Sequence, residues 1–187
     1  MKTHNIQDDR EELRQMIIKN AYFREKIILS SGKESDYYID ARRITLTARG
    51  AFLFARVILD MVKGDDMDAI GGPTLGADPI LGAISVLSLQ AGKPLNTFII
   101  RKTPKEHGKK QQIEGPPLKE GSRVVLIDDV ATTGKAFVQS LDVLTDLGIR
   151  VNKAICLVDR REGAAEAVSR KGCKLVPIFD ISEIHKQ

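Results

Sequence analysis

Two apolar runs, VVLID at 124–128 and VNKAICLVD at 151–159, flank the segment GKAFVQSLDVLTDLG at 134–148. The runs are too short for helices and read as buried strands. Between them Phe137, Leu141 and Leu144 recur at spacings of four and three, which predicts a helix, and Gly148 closes it. Strand, helix, strand is the unit that places two strands side by side in parallel. A sheet built this way must be covered on both faces. This constraint governs the rest of the chain.

The pattern continues on both sides. TLTARGAFLFARVILDMV predicts a helix, with Phe52, Ala55, Val57 and Leu59 among its apolar positions. DAIGG predicts a short strand ending in glycines. In DPILGAISVLSLQAG, Asp78 is the expected N-cap and Pro79 the first helical residue, with Ile80, Ile84 and Leu87 facing inward. LNTFII and KLVPIF predict strands, and GAAEAVSRKG a helix. The fold class is therefore α/β, a parallel sheet flanked by helices. The first forty residues differ. Asp8 or Asp9 can cap a helix carrying Leu13, Met16 and Ile17, and KIILSSGKESDYYIDAR reads as a hairpin. This gives a small α+β hood over 1–44 and an α/β core over 45–187, joined as a single compact unit.

Ligands of such sheets bind beyond the carboxyl ends of the strands. Those ends are expected at Gly71-Gly72, Arg101-Lys102, Asp128-Asp129 and Asp159-Arg160. In LIDDVATTGK a strand enters a Thr/Gly turn and then a helix, so backbone N–H groups meet an anion, with Thr132 and Thr133 as further donors. The adjacent acids suit a ligand that also carries hydroxyls, or a divalent metal. The alternative is a helix cap with a solvated acid pair. A Walker A loop is excluded, because Asp129 stands where its first Gly belongs and Ala136 where its Ser or Thr belongs.

Charge points to a compact anion. Of 187 residues, 29% are charged and the formal net charge is +4. The segment RKTPKEHGKK at 101–110 holds five Lys or Arg and one Glu, an excess equal to that of the whole chain. Nucleic-acid binders spread such charge over a face. The stretch from Arg101 to Gly121 has no clear period, and so long a connection is usually functional. GGPTLGADP permits close backbone approach to a ligand. Arg160 or Arg161 in VDRREG can bind a carboxylate or a base edge, the alternative being an ion pair with Glu162. Tyr37 or Tyr38 can cover an aromatic ring. Cys156 and Cys173 lack metal or redox spacing and predict thiols in a reducing compartment. With no signal-like or membrane-spanning apolar run, the chain is expected to be cytoplasmic.

VVLIDDVATTGKA resembles the PRPP-binding motif of type I phosphoribosyltransferases. The ordered set LSSGKESDYYID, GGPTLGADPI, RKTPKEHG, IEG, VVLIDDVATTG and VDRREG resembles the orotate phosphoribosyltransferase branch, from about Ile28 to Gly163. The resemblance implies transfer of ribose 5-phosphate from PRPP to orotate, giving orotidine 5′-monophosphate and pyrophosphate, with Mg²⁺. It implies that Asp128 and Asp129 hold the ribose hydroxyls and the metal, directly or through water. Val130, Ala131, Thr132, Thr133, Gly134, Lys135 and Ala136 would form the phosphate loop, with Leu75 and Gly76 also in the PRPP site. Arg101, Lys102, Lys105 and His107 would bind pyrophosphate; Thr132, Arg160, Tyr37 and Tyr38 would face orotate. A homodimer is implied, in which loop 101–115 reaches the neighbouring site. Two departures stand out: Ser30, and Leu75-Gly76, occupy positions where many family members carry Lys and Tyr-Lys. The rival readings are a phosphoribosyltransferase for another base and a non-catalytic PRPP-sensing regulator. The basic loop argues against a regulator, since sensing needs no leaving-group clamp, and no DNA-binding region is evident.

Overall fold

The computed structural model describes residues 5–28, 34–103 and 112–185. The chain opens with α1 (Ile6–Asn20), capped by Asn5, whose side chain accepts from the Gln7 amide at 3.2 Å. Asp8 and Asp9, expected as caps, lie in the first turn instead. Asp9 is buried and pairs with Arg56 at 2.8 Å. The strands β1 (Tyr22–Ile28) and β2 (Glu34–Ile39) pair antiparallel, as the hairpin pattern requires. A short α2 (Arg42–Thr45) follows, then α3 (Ala48–Met61), capped by Thr47.

The core then alternates: β3 (Ala69–Pro73), α4 (Asp78–Gln90), β4 (Asn96–Ile100), β5 (Ile113–Glu114), β6 (Arg123–Ala131), α5 (Lys135–Asp146), β7 (Arg150–Asp159), α6 (Ala164–Ser169), β8 (Lys174–Asp180) and α7 (Ile181–Ile184). The sheet order is β5-β4-β3-β6-β7-β8. All neighbours are parallel except β4 and β5. The stretch from 101 to 121 is therefore not wholly without structure. A two-residue strand has no period to detect, which is why only the fold reveals it. At α4 the N-cap is Ala77, not Asp78; Asp78 accepts a hydrogen bond from the Thr74 hydroxyl at 2.7 Å.

Side chains alternate across β6, and this separates two apolar layers. Val125 and Ile127 pack with Leu13 and Ile17 of α1, Phe54 of α3 and Ile80 of α4. Val124 and Leu126 pack with Phe137, Leu141 and Leu144 of α5 and Val168 of α6. Ile39 and Ile44 join the first layer, so the hood shares its core with the sheet.

Chain order reverses between β3 and β6, since β4 lies on one side of β3 and the later strands on the other. The pairing of these two strands is short, running only from Ala69–Gly71 against Val124–Leu126. Past that point they part, and a crevice opens at the switch point. Gly72 stands at the parting. A Cβ there would lie 2.0 Å from the Ile127 carbonyl oxygen and 2.7 Å from the Ala77 Cβ. Gly72→Ala should therefore destabilise the fold by about 1–3 kcal/mol through overpacking. Urea denaturation should report this as a lower midpoint with an unchanged slope.

Candidate active site

The crevice is a cleft of about 550 Å³ at the carboxyl ends of β3, β4, β6 and β7. A hollow of about 800 Å³ lies elsewhere, among Leu59, Met67, Leu87 and Leu95. Met67 and Leu95 precede β3 and β4, and Leu59 and Leu87 lie near the ends of α3 and α4, so this hollow is away from the carboxyl strand ends where this fold class binds ligands.

The floor of the cleft is the acid pair. β6 extends through Asp128 and Asp129 to Ala131, so the acids lie within the strand rather than past its end. Asp128 is 8% exposed. Its Oδ1 accepts from the Asp129 amide at 2.9 Å, and Asp129 Oδ1 accepts from the Val130 amide at 2.7 Å. Burial, reinforced by repulsion from Asp129, holds the Asp128 carboxyl well above the usual range. Burial raises Asp129 as well. Lys102 acts on Asp128 in the opposite sense, and Arg42 does so on Asp129. Two crowded carboxylates of this kind suit hydroxyl donors or a cation.

The loop after β3 closes over the pair. A Cβ on Gly76 would stand 2.2 Å from Asp128 Oδ1 and 2.7 Å from Asp129 Oδ1. The three glycines of GGPTLG thus serve contacts inside the protein: Gly71 against the Phe98 ring, Gly72 against the sheet and Gly76 against the carboxylates. Any side chain at position 76 would have to displace the two carboxylates from this arrangement.

At the far end of β6, Gly134 adopts φ 77° and α5 begins with no side-chain cap. The first-turn amides of a helix have no intrahelical partner, so an anion can take them. Val130, Thr132 and Ala136 line the cleft here, with Gln139 and Ser140. Thr133 and Lys135 are exposed beside the turn, while Ala131 and Gly134 are buried.

The two arginines after β7 separate. Arg160 is 5% exposed and lines the cleft. Its amide donates to the Ala131 carbonyl at 2.9 Å, and its Nε pairs with Glu162 at 2.8 Å. Arg161 turns outward at φ 58° and pairs with Asp180. Tyr38 lines the cleft; Tyr37 does not, its ring lying against Arg160 instead. The hairpin therefore offers the cleft one tyrosine, and alternation along β2 sends the other away.

Arg101 and Lys102 stand at the cleft lip. The Arg101 amide donates to the Gln112 carbonyl at 2.8 Å, and Gln112 Nε2 returns a bond to the Arg101 carbonyl at 3.3 Å. These bonds extend the β4–β5 pairing and hold the stem of the basic segment. Lys105, His107, Ser30 and Lys33 lie outside the described residues. Arg42, Gln112 and Gln139 also line the cleft and carry no motif signal; only their placement reveals them.

Among the described residues no group of three or more His, Cys, Asp or Glu could hold a metal. Two carboxylates still suit Mg²⁺, which commonly takes one or two from the protein and the rest from phosphates and water. Their raised pKa values fit that use.

A reversal between β3 and β6, an acid pair beneath it and an uncapped helix beside it define a phosphoribosyltransferase fold. The profile of the Phosphoribosyl transferase domain matches residues 46–186. The orotate phosphoribosyltransferase of Nostoc sp. is 39% identical over 99% of this chain and 89% of its own. That of Aquifex aeolicus is 42% identical over 83% and 85%. The Mycobacterium tuberculosis enzyme in complex with Fe(III) dicitrate superposes with a TM-score of 0.83 at 34% identity, covering 95% of this chain and 99% of that one. Crystallised with PRPP, it gives 0.78 at 32% identity over 94% and 98%. Adenine phosphoribosyltransferase of Thermoanaerobacter pseudethanolicus, at 16% identity and TM-score 0.64, shares the fold. The chain belongs to the orotate phosphoribosyltransferases, which are pentosyltransferase enzymes.

The raised carboxyl values set a sign. The native state binds the Asp128 proton more tightly than the unfolded chain does. Stability from this group is full below the ordinary value of 3.8 and is lost as pH rises through the raised one. Asp128→Asn should therefore raise the melting temperature near neutral pH, by roughly 2–4 °C per kcal/mol relieved, while removing activity. Thermal melts across the acidic range should show a weaker pH dependence in the variant.

Proposed function

We propose that this cleft transfers ribose 5-phosphate from PRPP to orotate by the following division of labour. Asp128 and Asp129 accept hydrogen bonds from the ribose hydroxyls. The loop from Val130 to Ala136 holds the 5-phosphate through the free amides of α5. Arg101, Lys102, Lys105 and His107 meet the pyrophosphate, with Leu75 and Gly76 at the edge of the PRPP site. Thr132, Tyr38 and Arg160 face orotate, and Arg160 pairs with its carboxylate. The observation that carries this reading is the buried acid pair beside an uncapped helix end, which matches one ligand bearing hydroxyls and a phosphate.

The C1–O bond to pyrophosphate breaks as the ring nitrogen of orotate bonds to C1. Positive charge grows on the ribose in between, as in glycoside cleavage. Mg²⁺, held by Asp128 and Asp129 directly or through water, would offset charge on the pyrophosphate when bound. Lys102 and the loop cations stabilise the same leaving group. Orotate is already anionic, so no strong general base is required. Residues 1–44 act as a hood over the base and 45–187 as the PRPP-binding core.

The working unit is a homodimer in the cytoplasm, with loop 101–115 reaching the neighbouring site. The outer face of α4 supports the dimer. Gly82, Val86 and Leu89 recur there at helical spacing, and Val86 and Leu89 are 57% and 67% exposed. Leu75, at the cleft lip, is equally bare. Both cysteines are buried free thiols, which suits a reducing compartment, and among the described residues no helix is long and apolar enough to cross a membrane.

The direct test mixes protein, orotate, PRPP and Mg²⁺ and follows the ultraviolet absorbance of orotate. Loss of absorbance with pyrophosphate release is expected. Turnover of uracil or a purine alone would overturn the substrate, and PRPP binding without turnover would favour the regulator. For the dimer, Leu89→Asp should raise the dissociation constant more than about tenfold in sedimentation and lower activity in parallel. A stable dimer in the variant would move the interface elsewhere.

A further inference from the structure

Arg160 is the buried cation at the base end of the cleft, and its guanidinium is held on several sides. One side is ionic, through Glu162. Another is polar: Arg160 Nη2 donates to Ser35 Oγ at 3.0 Å. Ser35 is itself fixed, since its hydroxyl donates to the Tyr37 carbonyl at 2.8 Å. The third is aromatic, with Arg160 Cζ 4.4 Å from the centre of the Tyr37 ring. A cation over a desolvated ring is attracted by its quadrupole and held in a plane.

Tyr37 does not stand alone. Its ring stacks on Tyr22 of β1, with centroids 5.7 Å apart and planes 24° apart. His185, just after α7, packs against it with centroids 5.1 Å apart. The Tyr22 hydroxyl and His185 Nδ1 are hydrogen-bonded, closing the trio. α7 is anchored in turn by α1. Arg10 bonds Glu183 at 2.7 Å and Arg14 bonds the Glu183 carbonyl at 3.0 Å. The hood, the first helix and the last turn of the chain thus converge behind one guanidinium.

We propose that Tyr37, backed by Tyr22 and His185, is a positioning residue that aims Arg160 at the anionic base, so that this ring cluster and the C-terminal turn influence base recognition without touching the base. This rests on the reading of Arg160 as the group that meets orotate. It assigns Tyr37 a role different from direct contact. A platform made of packed rings costs little side-chain entropy and leaves the cation in one orientation. A bidentate pair with a carboxylate requires such an orientation.

The experiment is steady-state kinetics on the full-length enzyme, with PRPP affinity measured separately. Tyr37→Leu should raise the KM for orotate about tenfold, with kcat and PRPP affinity little changed. Tyr37→Phe keeps the ring while losing the hydroxyl that also interacts with Arg160, and should recover most of the orotate KM. His185→Ala removes only the backing and should raise the orotate KM about two- to fivefold; should Tyr37→Leu fail to fold, this variant carries the test. In an Arg160→Ala background, Tyr37→Leu should add nothing further, because the residues act as one unit. An independent loss there would mean Tyr37 contacts the base itself and would overturn the proposal. So would a loss of PRPP affinity equal to that for orotate, or failure of Phe to rescue. If Arg160→Ala alone leaves the orotate KM unchanged, the assignment of Arg160 fails, whatever Tyr37 does.

Discussion

Two carboxylates side by side in a buried strand repel each other and are costly to desolvate. Around Asp128 and Asp129 the rest of the site is arranged. The strand holds them apart by giving each a backbone amide from the next residue. The loop after β3 packs against them, and the absence of a Cβ at Gly76 allows this approach. Lys102 and Arg42 supply the nearest compensating charge. Burial disfavours the charged forms of both carboxyls.

That pair can exist only where the sheet stops being a sheet. β3 and β6 pair over three positions and then diverge. The reversal of chain order thus makes the opening, and the parallel pairing of β6 with β7 keeps its floor rigid. Arg160 reaches the same opening because β7 runs alongside β6 to its end, where Ala131 accepts the Arg160 amide. Acid, amide cradle and cation come from adjacent strand ends, so their spacing is set by the sheet and not by loops.

The main lines were legible in the sequence because they are local. Phe137, Leu141 and Leu144 announce α5 by spacing, and all three are buried on one face. The apolar run of β6 and the turn at Gly134 identify the strand–turn–helix junction without any tertiary information. Caps were less legible. Asn5 caps α1 where Asp8 or Asp9 is expected, since any short polar side chain near a helix start satisfies the same rule, whereas α4 starts from Ala77 with no side-chain cap and Asp78 accepts from the Thr74 hydroxyl instead. β5 was invisible, being two residues long and stabilised by its partner alone.

By itself the sequence determined the α/β class, the strand that carries Asp128 and Asp129, the helix that follows and the basic segment after β4. Each depends on residues close in the chain, where periodicity and turn chemistry act directly. Only the tertiary structure decided which of Arg160 and Arg161 turns inward, and that Tyr38 faces the cleft while Tyr37 supports Arg160. Only it brought His185 against Tyr22 and Gly76 against the acid pair. Those contacts join residues far apart in sequence, and a side chain's neighbours across such distances are settled by packing, not by pattern.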